Sequence, residues 1–584
     1  MTHLFSKSMM RVIKTLVGII PKAARVKMRE HIWLYNLYSK SLRNSGLFYG
    51  FPSAKKLQKL YLKNIVQQQV QIAEQVGKVG GDLDIDCLVV LTGQKNVDFK
   101  TIQNVYRQLN NGKLFLLGKT SSIKNYTDNP LLDFEVYDFN QYFECEASGR
   151  LMVIRAGETL HPNALLMLAQ LSRMTKNETV TYCDIDHLDH KDNRHLAEFY
   201  PDWNPDLQLS TGYVKTGILI NGHKSIECFS EFSNVHYQTN IIALWMSSVY
   251  LTNKDIEIKH IPFCLVHQFM HRTQPWADEL KILDQAQINI SLGANKQCAN
   301  IFWEHTANPL VSLIIPTKNA KDLVKTCIDS IVEKTTYKNY EILLIDNNSD
   351  DAEAISYFKH LQNNHPKVRL LSYPYAFNYS AINNFAVHQA KGEVIGLINN
   401  DIEVISPSWL SDMLAHVQRA DIGCVGAKLL YPDDKIQHAG VVLGYGGGAG
   451  HAHKYFPRYH PGYLNRLVAT HNYSAVTAAC LLVKKSDYDA VNGLNERDLT
   501  VAFNDVDFCL KVLKLGRRNL YCAEAELYHH ESVSRGYEDT KEKQQRFQSE
   551  LNYLHTQWAS YITLDPAYNP NLTLRRENFS IKEV

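Results

Sequence analysis

The sequence predicts an α/β protein built on mostly parallel sheets, with two α/β regions in tandem behind a helical N-terminus. Three observations predict it. From Asp86, short apolar runs alternate with stretches of helical periodicity, as in Cys87 to Leu91, Leu114 to Leu117 and Leu151 to Ile154, the pattern of parallel βαβ units. The same texture restarts at Val311-Ser-Leu-Ile-Ile-Pro316 and runs to about residue 530. The length of 584 residues exceeds one hydrophobic core and suits roughly two to four domains.

Residues 1–80 form the first predicted unit, a basic helical region. Residues 1–64 carry thirteen Lys and Arg against one acid, Glu30, so this segment holds +12 and the rest of the chain −10. Met9, Ile13, Leu16, Val17 and Ile20 recur at helical spacing around Arg11 and Lys14. A basic amphipathic segment of this kind lies on anionic membrane surfaces, while packing on the protein's own body or on an acidic partner is the competing reading. Peripheral contact with the inner membrane surface is therefore one expectation. No aromatic-basic motif accompanies the charge, so nucleic acid is not an expected partner. No run approaches the ~18–20 apolar residues of a membrane span. Lys14 and Pro21-Lys22 interrupt the N-terminal run where a secretory signal would continue. Eleven scattered cysteines without a Cys-x-x-Cys pair fit a reducing compartment. The expectation is a cytoplasmic chain.

Residues 81–300 are the first α/β domain and 309–535 the second. Residues 536–584 are a C-terminal helix, Asp539 to Trp558, and a tail with turns at Asp565-Pro566 and Asn569-Pro570. The two α/β regions read as diverged copies. Glu158, Pro162 and Leu165 align at constant offset with Glu403, Pro407 and Leu410, which sets Ala156 opposite Asp401 and Arg155 opposite Asn400.

Three clusters of the second region carry chemistry. Val311 to Asn319 and Glu341-Ile-Leu-Leu-Ile-Asp346-Asn-Asn-Ser-Asp350 are apolar strands ending in polar residues. Open parallel sheets bind ligands beyond the carboxyl ends of their strands, which places Thr317, Asn319 and Asp346 where a nucleotide would be read. A turn with a helix cap accounts for Asp-Asn-Asn-Ser equally well. The second cluster is Gly392-Glu-Val-Ile-Gly-Leu-Ile-Asn-Asn400-Asp401-Ile-Glu403. A diphosphate leaving group calls for a divalent cation, and hard oxygen ligands suit Mg²⁺ or Mn²⁺. Asp401 is the preferred ligand, with Glu403 a support of the fold. The third is Phe503-Asn504-Asp505-Val-Asp507, a helix start with Asn504 as N-cap and Asp507 stabilised by the helix dipole. Asp505 then faces a pocket as general base on a sugar hydroxyl. His529 and His530 follow a strand end, and His529 beside a diphosphate would be a further metal ligand.

Taken in order, Ile-Ile-Pro-Thr-Lys-Asn, Ile-Asp-Asn-Asn-Ser, Asn-Asn-Asp-Ile-Glu, Gly493-Leu-Asn-Glu496, Asn-Asp-Val-Asp-Phe and Tyr-His-His-Glu-Ser resemble the family 2 glycosyltransferases of GT-A fold. The nearest likeness is to bacterial rhamnosyltransferase-like members that build O-antigen and capsule chains. The resemblance spans about 309–535. It implies an inverting, metal-dependent hexosyltransferase with a nucleotide-diphosphate sugar donor and a glycan or lipid-linked glycan acceptor. It also implies roles: Asp346 the base-contacting acid, Asp401 the metal acid of an Asp-x-Asp-type motif, Asp505 the catalytic base, and His529 the histidine closing the donor site. Asn384 matches the Asn of the family's Ala-Arg-Asn element, with Asn383 standing where Arg is usual. Pro316, Thr317, Asn319 and Asn400 complete the expected donor-binding set. The first region resembles the fold in degraded form, through Tyr182-Cys-Asp-Ile-Asp186 and Phe199 to Asp206. The expectation there is a non-catalytic module for acceptor binding or scaffolding, with Asp184 and Asp186 as a weak metal site.

Gly440 to His453 reads as a mobile glycine-rich loop closing over donor and acceptor, and its histidines with His438 lack a cysteine to complete a zinc set. Two other classes remain open at this point. A sugar nucleotidyltransferase would carry a glycine-rich phosphate loop, which Pro316 to Leu323 lacks. A non-catalytic carbohydrate-binding or assembly protein would leave Asp401 and Asp505 idle.

Overall fold

The computed structural model describes residues 54–77, 84–128, 134–173, 178–252, 255–270, 275–283, 288–293, 298–530 and 540–583, with a few positions between 9 and 20. In the predicted amphipathic N-terminal segment, Met9, Ile13, Leu16 and Val17 are helical, while Arg11, Lys14 and residues 21–53 lie outside the described residues. So do the boundary at Gly80-Gly81 and the run from Glu531 to Arg535. Among the described residues no helix is long and apolar enough to cross a membrane.

After a helix over Ala54–Val76, the described residues of the first domain form nine strands: β1 Asp86–Val90, β2 Leu114–Leu117, β3 Tyr137–Asp138, β4 Arg150–Arg155, β5 Glu158–Leu160, β6 Thr179–Leu188, β7 Arg194–Glu198, β8 Ile218–Asn221 and β9 Glu257–Gln268. A hairpin, β10 Ile288–Leu292 with β11 Ala299–Trp303, leads to the second domain. There the strands are β12 Val311–Thr317, β13 Tyr340–Asp346, β14 Val368–Ser372, β15 Val394–Ile398, β16 Ile402–Val404, β17 Ile422–Leu430, β18 Ile436–His438, β19 Val441–Leu443, β20 Ala449–His451, β21 His471–Tyr473, β22 Cys480–Lys484 and β23 Arg518–His529.

The two main sheets have the same plan. The first is ordered β3-β2-β1-β4-β8-β6-β9-β5 and the second β14-β13-β12-β15-β22-β17-β23-β16. In each, the first four strands are parallel, the fifth is antiparallel to both of its neighbours, and the last short strand runs antiparallel to the long one beside it. The internal duplication thus extends to every strand of the path. The constant offset read from sequence does not hold through one turn. Ala156-Gly157 join β4 to β5, whereas the three residues Asn399-Asn400-Asp401 join β15 to β16. Neither residue of the shorter turn is acidic.

Parallel strands covered on both faces must be apolar throughout, and Leu313, Ile314 and Ile315 of β12 are fully buried. One face packs under Ile328, Phe358 and Trp409, the other under Ile382, Phe508 and Trp558. Trp558 comes from the C-terminal helix Lys541–Thr563, which bends at that residue, and its indole N–H donates to Asp507 Oδ1 at 2.9 Å.

The domains share buried polar contacts. Asp206 accepts from Arg419 and Arg518, each at 2.7 Å, and both guanidinium groups also reach the Tyr250 hydroxyl. The C-terminal tail crosses back to the first domain, where the Asn569 amide donates to both oxygens of Asp184 at 3.0 and 2.9 Å. Asp184 also binds His260 at 2.9 Å. Asp186 is enclosed by Tyr61, by Arg194 at 2.5 Å and by His267 at 2.6 Å. The expected weak metal site at Asp184 and Asp186 is corrected accordingly: internal donors hold both carboxylates, and Tyr61 from the helix Ala54–Val76 plugs the position.

Candidate active site

The carboxyl ends of β12, β13 and β15 converge, as open α/β sheets require of a ligand site. Thr317 and Asp346 are register partners at the ends of β12 and β13. Asp346 Oδ1 accepts from the Ser349 amide at 3.0 Å, which leaves a half-exposed carboxylate at the strand end. Thr317 Oγ1 receives the Asn400 amide at 2.9 Å, tying this end to the turn that carries Asp401. Pro316, opposite Ile345, is half-buried just before it. The exposed Tyr375, missed in the sequence, stands in a loop whose carbonyls bind the Asn347 amide.

Two residues of the expected donor-binding set are otherwise engaged. Asn319 adopts a positive φ of 54°, accepts from the amides of Asp350 and Asp351 at 3.0 Å, and donates to Asp350 Oδ1 at 2.8 Å. It pins the loop after β13. Asn384 donates to Leu494 O and Glu496 Oε1 and accepts from Tyr488 and the Leu494 amide. It clamps the Gly493-Leu-Asn-Glu496 turn, where Gly493 has φ 64° and a Cβ would lie 2.4 Å from Asn384 Oδ1.

Asp401 and His529 meet across the β16–β23 edge. The register sets Ile402 against His529, so the histidine ring reaches the acid one residue before β16. His529 Nδ1 lies 2.6 Å from Gln437 Oε1. The amide oxygen is an acceptor, so Nδ1 carries the proton and Nε2 offers its lone pair, receiving Asn399 Nδ2 at 3.2 Å. That Nε2 is also 3.1 Å from Asp401 Oδ1, a buried oxygen that no aligned hydrogen bond reaches. Two lone-pair atoms facing each other, one lacking a donor, fit a divalent cation. A histidine ligand held at its other nitrogen by an acceptor is the usual supporting arrangement. Among the described residues no three His, Cys, Asp or Glu side chains gather to cage a metal ion, and Mg²⁺ commonly takes one or two protein ligands with the remainder from phosphate and water. Glu403 is drawn away by Lys334 at 3.4 Å and His530 at 3.1 Å, as its expected structural role requires. Sequence reasoning missed Gln437 and Asn399. Asn399 belongs to the Asn-Asn-Asp run, while Gln437 carries no motif signal.

Asp505 is in the first turn of the helix Asn504–Lys514. Its Oδ1 accepts from the Val506 amide at 2.9 Å and its Oδ2 from the Ala478 amide at 3.1 Å. The strand-end loop before β22 therefore fixes the carboxylate. The N-cap expectation is corrected: Phe503, at φ 59°, precedes the helix, and the Asn504 amide turns back to Val501 O at 3.0 Å. A positive φ at a bulky residue is an outlier that surrounding structure must hold in place.

The glycine-rich segment, expected as a mobile loop, forms a hairpin of β19 against β20. At its base the Nδ1 atoms of His438 and His451 lie 2.7 Å apart. Burial pushes both imidazoles down, His438 to about 3, so they form a neutral donor–acceptor pair. His453 stacks on Phe579 and accepts from the Tyr463 amide at 3.0 Å, outside any common set with them.

Acid and imidazole thus meet beside one strand end of an α/β domain, with a carboxylate on the adjacent helix start. Residues 312–490 match the model of glycosyl transferase family 2; the second domain is a family 2 glycosyltransferase domain. The chain is 39% identical over 459 residues to "Uncharacterized protein y4gI" of Sinorhizobium fredii, across 75% of this chain and 50% of that one. It is 30% identical over 451 residues to the O-antigen biosynthesis protein RfbC of Myxococcus xanthus, across 72% and 33%. It thus spans half the length of the first and a third of the second. A mannosyltransferase, PcManGT from Pyrobaculum calidifontis, solved with GDP-Man and Mn²⁺, is 16% identical with a TM-score of 0.33, covering 45% of this chain and 72% of that one.

Proposed function

We propose that the chain is an inverting, metal-dependent glycosyltransferase that moves a sugar from a nucleotide-diphosphate donor to a glycan or lipid-linked glycan in surface polysaccharide synthesis. The observation that carries this reading is the pairing of Asp401 Oδ1 with His529 Nε2 at 3.1 Å in a domain that also presents Asp505. The name of the Myxococcus relative supports O-antigen assembly as the setting.

The reaction is a single displacement. Asp505 takes the proton of an acceptor hydroxyl as that oxygen bonds to the anomeric carbon, and the bond from that carbon to the donor diphosphate breaks with its electrons on the leaving phosphate. Attack opposite the leaving group inverts the configuration. Asp346 and the ends of β12 and β13 hold the nucleotide. Asp401 and His529 would hold a divalent cation, Mg²⁺ or Mn²⁺, which neutralises charge on the departing diphosphate. The first domain is a non-catalytic scaffold in this reading, because Ala156-Gly157 stand in place of the acidic turn and its own acids bind internal donors.

A panel of UDP-, dTDP- and GDP-linked sugars, each with and without Mn²⁺ or Mg²⁺, tests the proposal. Release of one nucleotide diphosphate only in the presence of metal is expected, and the donor class follows from it. Release that persists in EDTA would contradict the metal assignment, and no release with lipid-linked acceptor extracts present would contradict the transferase.

A further inference from the structure

A cleft of about 360 Å³ opens between the glycine hairpin, Phe503, the C-terminal helix and the tail, lined in part by Phe503, Phe547, Leu551, Arg575 and Arg576. This volume lies in the range of small-molecule sites. Its walls differ in character. Phe503 and Phe547 pack 5.4 Å apart, with Leu551 and Leu574 beside them, and make an apolar side. Arg575 and Arg576 follow on the tail and are exposed. The Arg575 guanidinium contacts Glu583 at 3.5 Å. At the hairpin tip, Gly446 and Gly447 face open space, since a Cβ on either would meet nothing within 4 Å.

The cleft adjoins the proposed base. Phe503 lies two residues before Asp505, and its ring is 3.3 Å from where a Cβ on Gly448 would stand. At its other end the same hairpin joins His451 to His438, whose Nε2 lies 3.5 Å from the Thr477 amide. The next residue, Ala478, gives its N–H to Asp505. The wall residue Phe503 and the hairpin thus connect the cleft to the segment that holds the Asp505 carboxylate. Glu577, the one acid of the lining, is half-buried, and its partial burial pushes its carboxyl up.

We propose that this cleft is the acceptor subsite and that it takes a glycosyl diphosphate, the sugar against Phe503 and Phe547 and the diphosphate between Arg575 and Arg576. Guanidinium groups bind phosphate oxygens in paired, charge-assisted hydrogen bonds, and aromatic faces receive the C–H faces of sugar rings. The inference rests on the transferase reading. The diphosphate can belong to a lipid carrier or to a nucleotide, and the test separates them.

Calorimetric titration of the full chain with Mn²⁺ and saturating nucleotide diphosphate would use a hexose diphosphate bearing a short alkyl tail, and the same hexose as a neutral alkyl glycoside. Wild type should bind the diphosphate at least about tenfold more tightly. Arg575→Ala/Arg576→Ala should remove that preference, Arg575→Lys/Arg576→Lys should retain most of it, and Phe547→Ala should weaken both probes. All three sites are exposed enough that unchanged melting temperatures are expected. Equal affinity of wild type for the two probes, or an unaffected double alanine variant, would overturn the proposal. Displacement of the alkyl probe by further nucleotide diphosphate would assign the cleft to nucleotide and overturn the lipid-carrier form. The donor panel judges the other reading separately: probe binding through the arginines without nucleotide release from any donor would sink the transferase and leave the cleft as a binding site.

Discussion

Gln437 shows how a residue with no motif of its own governs one that has. It accepts from His529 Nδ1 and donates to the His529 carbonyl at 3.3 Å, so it sets both the tautomer and the aim of Nε2. Removing a partner of this kind costs about 10–100-fold in metal affinity or activity. Gln437→Ala should therefore raise the Mn²⁺ concentration for half-maximal activity about 10-fold or more, while Gln437→Glu should largely preserve it. No shift in either would mean that His529 does not hold the cation. Asp346, Asp401, Asp505 and His529 stood out as candidates because each lies in a recognisable run: Asp346 and His529 end strands, Asp401 closes the turn before β16, and Asp505 is in the first turn of a helix. Gln437 did not, because its role depends on β18 pairing with β17, a contact the local sequence does not encode.

Elements explain where local rules misled. Asn504 looks like an N-cap from its position before Asp505, yet Phe503 takes the left-handed conformation and Asn504 turns inward. Packing of the Phe503 ring against Gly448 and Phe547 overrides the capping preference. The glycine-rich run suggested a mobile loop; in the fold its two ends pair as β19 and β20, and the tip at Gly446 and Gly447 is exposed. Asn384 matches a family position by sequence and in the fold clamps the Gly493 turn. Three of its four hydrogen bonds go to the buried Tyr488 and Leu494, and the fourth to the exposed Glu496. Asn384→Ala should cost about 1–3 kcal/mol by leaving such groups unpaired, read as a lower denaturant midpoint. Unchanged stability with weakened nucleotide binding would restore the donor contact expected from the resemblance.

At the scale of the molecule, the alternation of strands and helices and the tandem repeat were legible, and the strand order bears out the duplication. The joint between the copies was not, because Asp206, Arg419 and Arg518 are far apart in sequence and each alone reads as a surface charge. Asp206 lies well below the usual carboxylate range: burial would raise it, and the two guanidinium groups outweigh that. Asp206→Ala would leave Arg419 and Arg518 with Asp421 as their remaining carboxylate and should cost about 3 kcal/mol, with both domains melting together. The tail brings a pH dependence. His260 sits between Asp184 and Asp202; burial lowers it, but the carboxylates raise it to about 9. A group raised in the folded state stabilises fully below its unfolded value, near 6.5, and loses that contribution as pH rises through about 9, here on the order of 1–3 kcal/mol. The thermal midpoint should fall between pH 7 and 9.5, and His260→Gln should flatten that fall; an identical slope would remove His260 as its source. The central claim is that one copy reacts and that Asp505 is its base. The most direct measurement is the metal-dependent turnover of the preferred donor by wild type and by Asp505→Asn, with nucleotide affinity measured on both. The account predicts a loss of about 10²–10⁴-fold in turnover with nucleotide still bound; turnover within a few-fold of wild type would contradict it.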